Sequence, residues 1–141
     1  MATFRSFVRA GAILPAALAL AACGGGSDAT DREILLDLQP VGPEGTTGTV
    51  TLSKSGSGTS VLVDALIVSG VGGHTAGVHE GTCADFKPEV AYDIGSVEEG
   101  VGGTTLAVET SKLLDGTYVI LLHTSAEDVT PIACAPIEAA D

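Results

Sequence analysis

The residues of this sequence that could carry chemistry are a few histidines and cysteines. They are His74, His79 and His123, and Cys23, Cys83 and Cys134. Two convergent imidazoles can hold Cu(I) almost linearly, or hold Cu(II) or Zn(II) weakly together with water and a carboxylate. The sequence has no Cys-x-x-Cys pair, no glycine-rich phosphate loop ahead of a helix and no recognisable Ser-His-Asp spacing. Metal binding and disulfide formation are therefore the chemistries to consider.

The elements that must position these residues are short apolar runs separated by glycine-rich turns. Alternating or β-branched runs predict strands at residues 50–52, 61–67, 90–94, 106–108, 117–123 and 132–137. Residues 34–38 fit either a strand or a helical turn, and residues 42–45, 56–58, 98–100 and 115–116 read as turns. No segment after residue 32 has a sustained 3.6-residue period. We therefore predict an all-β sandwich or barrel of about seven or eight antiparallel strands.

The N-terminal residues have the layout of a secretory signal. Arg5 and Arg9 precede an apolar run at residues 10–20, which is too short to span a membrane. Residues 20–23, Leu-Ala-Ala-Cys, resemble the lipobox of bacterial lipoproteins. That resemblance implies a signal peptide at residues 1–22, a diacylglycerol on the Cys23 thiol, and a protein anchored outside the cytoplasm. Gly24 at the next position favours the outer membrane if the host has two membranes.

A glycine-rich tether at residues 23–32 would then lead into one domain at residues 33–138.

The formal net charge of −12 disfavours nucleic acid, anionic headgroups and anionic substrates as partners. With Cys23 carrying lipid, Cys83 and Cys134 remain as an even pair in an oxidising compartment, which predicts one disulfide. The membrane, reached through the lipid, is the only partner indicated. A protein or surface-polymer partner and the oligomeric state stay open.

Two segments together resemble the Cu/Zn superoxide dismutase-like superfamily, whose members are Greek-key β-sandwiches. Residues 78–80, Val-His-Glu, resemble the second half of its His-x-His-Glu strand, with Cys83 following as the first half-cystine. Residues 119–123 resemble the late strand that ends in a copper ligand, and residues 133–134 resemble the closing Ala-Cys. The resemblance covers about residues 33–137, and it implies His79 and His123 as copper ligands.

The departures from that family pattern decide the functional prediction. Gly77 stands where the first histidine of the His-x-His pair is expected, which removes one copper ligand. No histidine lies between Cys83 and the late strand, so we expect no zinc site. Pro131 occupies the position of the arginine that guides the superoxide anion, and Ala135 replaces the glycine after the second cysteine.

These observations favour a non-catalytic envelope or binding module of the superoxide dismutase-like type. A first alternative is a copper-binding or copper-delivery protein that uses His79 and His123. His74, in a glycine-rich segment that could fold back, is the candidate third ligand, whereas Glu80 should face away from His79. A second alternative is a residual copper-only superoxide dismutase. The related non-enzymatic sandwich repeats of surface proteins are a further possibility, although they usually lack the cysteine pair.

Overall fold

The computed structural model describes residues 31–67 and 73–140, and within them the protein is all-β apart from one helical turn. The predicted signal peptide, Cys23 and most of the tether lie outside the described residues. The elements are β1 (Ile34–Pro40), β2 (Gly48–Ser55), β3 (Gly58–Ala65), β4 (His74–Gly81), β5 (Phe86–Val97), β6 (Val101–Leu106), α1 (Thr110–Leu113), β7 (Tyr118–His123) and β8 (Pro131–Ile137). Among the described residues, no helix has the length and apolarity needed to cross a membrane.

The eight strands form one antiparallel sheet that closes almost completely on itself. Their order is β5-β4-β7-β8-β1-β2-β3-β6. The two outer strands, β5 and β6, are consecutive in the chain and are joined by a tight turn, with paired backbone hydrogen bonds between Glu98 and Val101. The all-β, eight-stranded, barrel-like architecture confirms the strand count expected from the sequence.

Residues 34–38, left ambiguous by the sequence, are part of β1. Ile34 faces Leu52 and Leu38 faces Gly48, so β1 is held in a regular antiparallel ladder with β2. Leu36 and Leu38 enter the core, whereas Leu35 and Asp37 face outward. The period-two burial fits a strand and does not fit a helical turn.

The predicted turns form where glycine permits a left-handed backbone. The β5–β6 turn places Glu99 and Gly100 at φ values of 50° and 87°, the pattern of a type I′ hairpin turn. Gly56, in the β2–β3 turn, has a φ of 60°. The prediction of a strand at residues 106–108 was wrong in its bounds. Strand β6 ends at Leu106, and Val108 is buried in the segment leading to α1.

The main core lies inside the barrel and follows the alternation of the strands. In β2, Val50 and Leu52 are buried and Thr51 between them is half-buried. In β3, Val61 and Val63 are buried and Leu62 between them is exposed. Buried polar groups inside are hydrogen-bonded: the Thr59 hydroxyl donates to the carbonyl of Val108, 2.8 Å away. Hydrogen bonds within the barrel thus satisfy its buried polar groups, and the candidate site lies on the outer side of the barrel wall.

A second apolar cluster lies on the outer face of β7 and β8. It consists of Val119, Leu121 and Cys134, with Val41, Cys83 and Phe86 packed against them. The predicted disulfide is present: Cys83 and Cys134 are bonded, with Cα atoms 5.8 Å apart. It fastens the connection between β4 and β5 across the outside of the barrel wall.

Candidate functional site

The two histidines singled out by the resemblance lie on neighbouring strands of the same wall. His79 is on β4 and His123 ends β7, and these strands pair with His79 opposite Val119 and Thr75 opposite His123. Val78 points into the core, so His79 on the next residue points outward. Side chains of both histidines therefore share the outer face that carries the disulfide.

The structure brings the two imidazoles into direct contact. Nε2 of His79 lies 3.0 Å from Nε2 of His123, and the ring planes are inclined at 81°. His79 is 1% exposed and His123 is 2% exposed. The pair is thus a buried hydrogen-bonded unit under the outer surface.

The hydrogen-bond partners define which nitrogen carries each proton. Nδ1 of His79 lies 2.8 Å from the carbonyl oxygen of Lys87, and because a carbonyl only accepts, this nitrogen donates. In a neutral His79 the lone pair is then on Nε2, so Nε2 of His123 must donate to it. Nδ1 of His123 is left to accept from the Thr75 hydroxyl, 3.3 Å away. A single set of neutral tautomers satisfies both rings.

The environment of His123 disfavours its charged form. The pKa of His123 is lowered from 6.5 to about 4, mainly by burial and in addition by electrostatic interaction with His79, while Asp93 acts in the opposite direction. Desolvation removes the water that would stabilise an imidazolium, so the neutral ring is retained at pH 7. The hydrogen-bonded pair described above is compatible with this neutral state of His123.

A segment at the start of β5 covers the pair. Phe86 packs its ring edge-on to His79, with centroids 6.0 Å apart, and the adjacent Lys87 supplies the carbonyl acceptor. The Cys83–Cys134 disulfide holds the beginning of this segment against β8. The cover is therefore fixed by a covalent bond, an aromatic contact and a buried hydrogen bond.

The predicted third ligand, His74, forms a hydrogen bond with the backbone and not with the imidazole of His79 or His123. It is buried at the start of β4, and its Nδ1 lies 3.2 Å from the backbone carbonyl of His123, to which it donates. Within residues 31–67 and 73–140, no group of three or more His, Cys, Asp or Glu side chains is arranged to hold a metal. His74 supports the end of β7, and its role as a ligand stays a prediction.

A neighbouring side chain lies close to Gly77, where the resemblance leads one to expect a further histidine. A Cβ added at Gly77 would lie 3.0 Å from Cγ1 of Val90, which is on the paired strand β5. Glu80, as expected, is directed away from the pair and forms an ion pair with Lys87. The outer face therefore offers two imidazoles and no carboxylate from β4.

The separation of the two nitrogens limits the coordination geometry. Two nitrogens bonded to one ion at about 2.0 Å lie about 2.8 Å apart at a right angle, about 3.3 Å at a tetrahedral angle and about 4.0 Å when linear. The observed 3.0 Å fits adjacent positions of a tetragonal Cu(II) or tetrahedral Zn(II) site. Linear Cu(I) would require the rings to move apart by about 1 Å.

Sequence reasoning missed Thr75, Phe86 and the Lys87 carbonyl as parts of the site. Thr75 could have been found, because it shares the strand face of Gly77 and His79 through the period of two. A backbone acceptor such as the Lys87 carbonyl has no residue-type signature. No family model matches the chain, and no curated protein or solved structure matches it either.

Proposed function

We propose that this chain is a lipid-anchored, extracytoplasmic domain of the superoxide dismutase-like type, which binds a partner in the cell envelope and does not catalyse dismutation. The observation that carries the proposal is the closed His79–His123 pair on the barrel wall, with Val90 against Gly77 where a third imidazole would project. The anchor and location rest on residues 20–23.

The strand order supports the Greek-key part of this proposal. Strands β4, β5 and β6 follow one another, and β7 returns to lie beside β4, which gives the spatial order β7-β4-β5-β6. Three consecutive strands with a fourth beside the first is the Greek-key pattern. The disulfide adds support, since it links the segment after the histidine strand to the last strand, as the resemblance implies.

The donor set supports the absence of dismutase activity. Dismutation cycles a copper ion between two oxidation states, and a site must hold the ion in both. Here the two rings bond to each other, their Nδ1 atoms have protein partners, and His74 is engaged with a backbone carbonyl. The net charge of −12 also opposes attraction of the superoxide anion.

Copper binding by His79 and His123 is the second candidate. The 3.0 Å separation of their Nε2 atoms favours it, because both nitrogens already lie within the span of one ion's coordination sphere. Binding would require both rings to turn so that their Nε2 lone pairs point at the ion. The ring proton of His123 would then lie on Nδ1, which would donate a hydrogen bond to the Thr75 hydroxyl oxygen. Thr75 can then donate to the carbonyl of Ser125, 3.4 Å away.

The decisive experiment titrates the purified full chain in detergent with Cu(I) and Cu(II), and assays dismutase activity of the product. His79→Ala and His123→Ala remove the pair, and His74→Ala separately tests the candidate third ligand. We expect no dismutase activity in any form. Copper-dependent superoxide removal that both pair variants abolish would overturn the proposal in favour of a residual copper-only dismutase. Stoichiometric binding without activity, lost only in the pair variants, would establish the copper-binding candidate.

A further inference from the structure

The barrel has a short ladder where its first and last strands meet. Strands β1 and β8 pair only at Gln39↔Cys134 and Pro40↔Ala133. By contrast, β1 pairs with β2 along residues 34–38, and β8 pairs with β7 along its whole length. The N-terminal part of β1 and the C-terminal part of β8 therefore lack each other as ladder partners.

Pro136 gives a physical reason for the end of this ladder. Continued register would place Asp37 opposite Pro136, and alternation along β8 gives residue 136 the same orientation as Cys134, toward β1. A hydrogen-bonded pair at that point needs an N–H from residue 136, which proline lacks. The chain after Ile137 then turns toward α1, where the amide of Ala140 donates to the carbonyl of Leu114 at 3.0 Å.

The opening leaves backbone groups of β1 directed at the gap. The amide of Val41 donates to Ile132 on β8, so residues of the same parity, Leu35 and Asp37, also point their N–H and C=O groups toward β8. No β8 residue is in register with either of them. Leu35 and Asp37 therefore direct their backbone N–H and C=O groups into the gap, and such a strand edge can pair with another strand.

The gap is a cleft large enough for a short piece of chain. Its volume is about 600 Å³, within the range of ligand sites. Leu35, which is 64% exposed, and Leu114 contribute apolar surface. The charged residues lining it are Glu33, Asp37 and Glu138 on the acidic side and Arg32 on the basic side.

We propose that this cleft binds an extended peptide segment of a partner protein, with alternating basic and apolar residues, as an added strand beside β1. Main-chain pairing with Leu35 and Asp37 supplies the register, and the acidic lining selects lysine or arginine. The negative charge of the whole chain attracts the same class of peptide. The inference rests on the proposed binding role and gives that role a surface away from the histidines.

The test titrates the full chain in detergent with a fluorescent octapeptide of alternating lysine and valine, blocked at both ends. We expect saturable binding and slower hydrogen exchange at the amides of Leu35 and Asp37. Asp37→Lys should weaken binding about tenfold by reversing the charge at the cleft. Glu127→Lys, an equal charge change at an exposed position in the β7–β8 connection, is the matched control and should leave binding near the unaltered value.

Two further peptides separate strand pairing from charge attraction alone. One carries N-methyl groups on alternate amides and keeps its side chains, and the other has glutamate in place of lysine. Both should bind at least about tenfold more weakly. No saturable binding up to about 1 mM, or equal binding of the N-methylated peptide, would overturn the inference. Neither result depends on copper, so the proposed function is tested separately by the metal titration and dismutase assay.

Discussion

The imidazole of His123 lies over the backbone of Gly77: a Cβ at residue 77 would sit 3.6 Å from Cε1 of that ring. The register of β4 and β7 places Val119, and not His123, opposite His79. The two imidazoles therefore meet diagonally, past the row that contains Gly77. A Cβ at residue 77 would be in ordinary contact with the His123 ring, so the row of Gly77 borders the diagonal without blocking it.

Introducing a third imidazole at residue 77 should require a second change at Val90. Gly77→His alone should lower the free energy of unfolding by about 1 kcal/mol, the lower end of the range for overpacking, because its Cβ would crowd Cγ1 of the partly exposed Val90. Gly77→His with Val90→Ala should relieve this crowding and raise copper affinity at least about tenfold over the unaltered chain. Thermal unfolding and copper titration measure the two effects, with Val90→Ala alone as control. Equal stability of Gly77→His and the unaltered chain would contradict the crowding.

Protonation of His123 should make stability fall as the pH drops below 6.5. Burial holds the pKa of His123 at about 4, whereas the unfolded chain has its ordinary value of 6.5. The stabilisation is thus fully present above pH 6.5 and is lost toward pH 4, with a slope of at most about 1.4 kcal/mol per pH unit from this group. Denaturant unfolding between pH 7 and pH 5 measures the slope. His123→Gln, which keeps a donor at the ring position, should flatten it, and an unchanged slope would exclude His123 as the cause.

Removing the Thr75 hydroxyl should weaken copper binding without a comparable loss of stability. Copper on Nε2 of His123 requires the ring proton on Nδ1, and the Thr75 oxygen is its acceptor there. Thr75→Val should lower copper affinity about tenfold, the lower end of the range for residues that orient metal ligands. Thr124→Val removes a hydroxyl bonded to the carbonyl of Thr130 and is the control. If both variants bind copper alike, Thr75 does not position the ring.

Loss of the disulfide should destabilise the domain substantially. Cys83 and Cys134 are separated by 51 residues, and a closed loop of that size contributes about 4 kcal/mol in the chain-entropy estimate. Denaturant unfolding of Cys83→Ala/Cys134→Ala should show a loss of this order. Amides of the covering segment near Lys87 should exchange faster than those of β2 and β3, since the bond fastens that segment. A loss below about 1 kcal/mol would show that the apolar contacts suffice.

Cys23 should determine membrane attachment. The lipobox resemblance predicts that Cys23→Ala abolishes the lipid-sized mass increase and moves the protein from the membrane fraction to the soluble fraction. Ser27→Ala, in the same predicted tether, is the control and should stay attached. Membrane attachment of Cys23→Ala would refute lipidation as the anchor. The experiment requires expression in a bacterium that processes lipoproteins.

Two of the strands predicted from the sequence, β2 and β3, have the alternating burial that their spacing indicates. Val50 and Leu52 in β2 and Val61 and Val63 in β3 face the core as their spacing indicates. Strand β6 gave no such signal, because residues 101–105 are Val-Gly-Gly-Thr-Thr and none of them is buried. Its place in the sheet comes from pairing with β3 and from the turn after β5, which are tertiary effects that local propensity does not encode.

Part of the candidate site was also predictable. The pairing of Cys83 with Cys134 followed from the cysteine arithmetic, and the convergence of His79 with His123 followed from the resemblance. What the spacing could not show is that the rings bond to each other, or that Val90 lies against Gly77. Both depend on the register between strands distant in the chain, and bulges in the β4–β5 ladder shift that register near Gly77 and His79.

The position of β8 between β1 and β7 has a consequence for biogenesis. A nascent chain that has emerged only as far as residue 130 contains β1 to β7 of the described residues. In it β1 and β7 each have an unpaired edge, and Cys83 lacks its partner Cys134. Closure must await β8, so β1 and β7 keep open edges until residues 131–137 are available to pair. During that interval the exposed strand edges are the surfaces that chaperones and proteases would recognise.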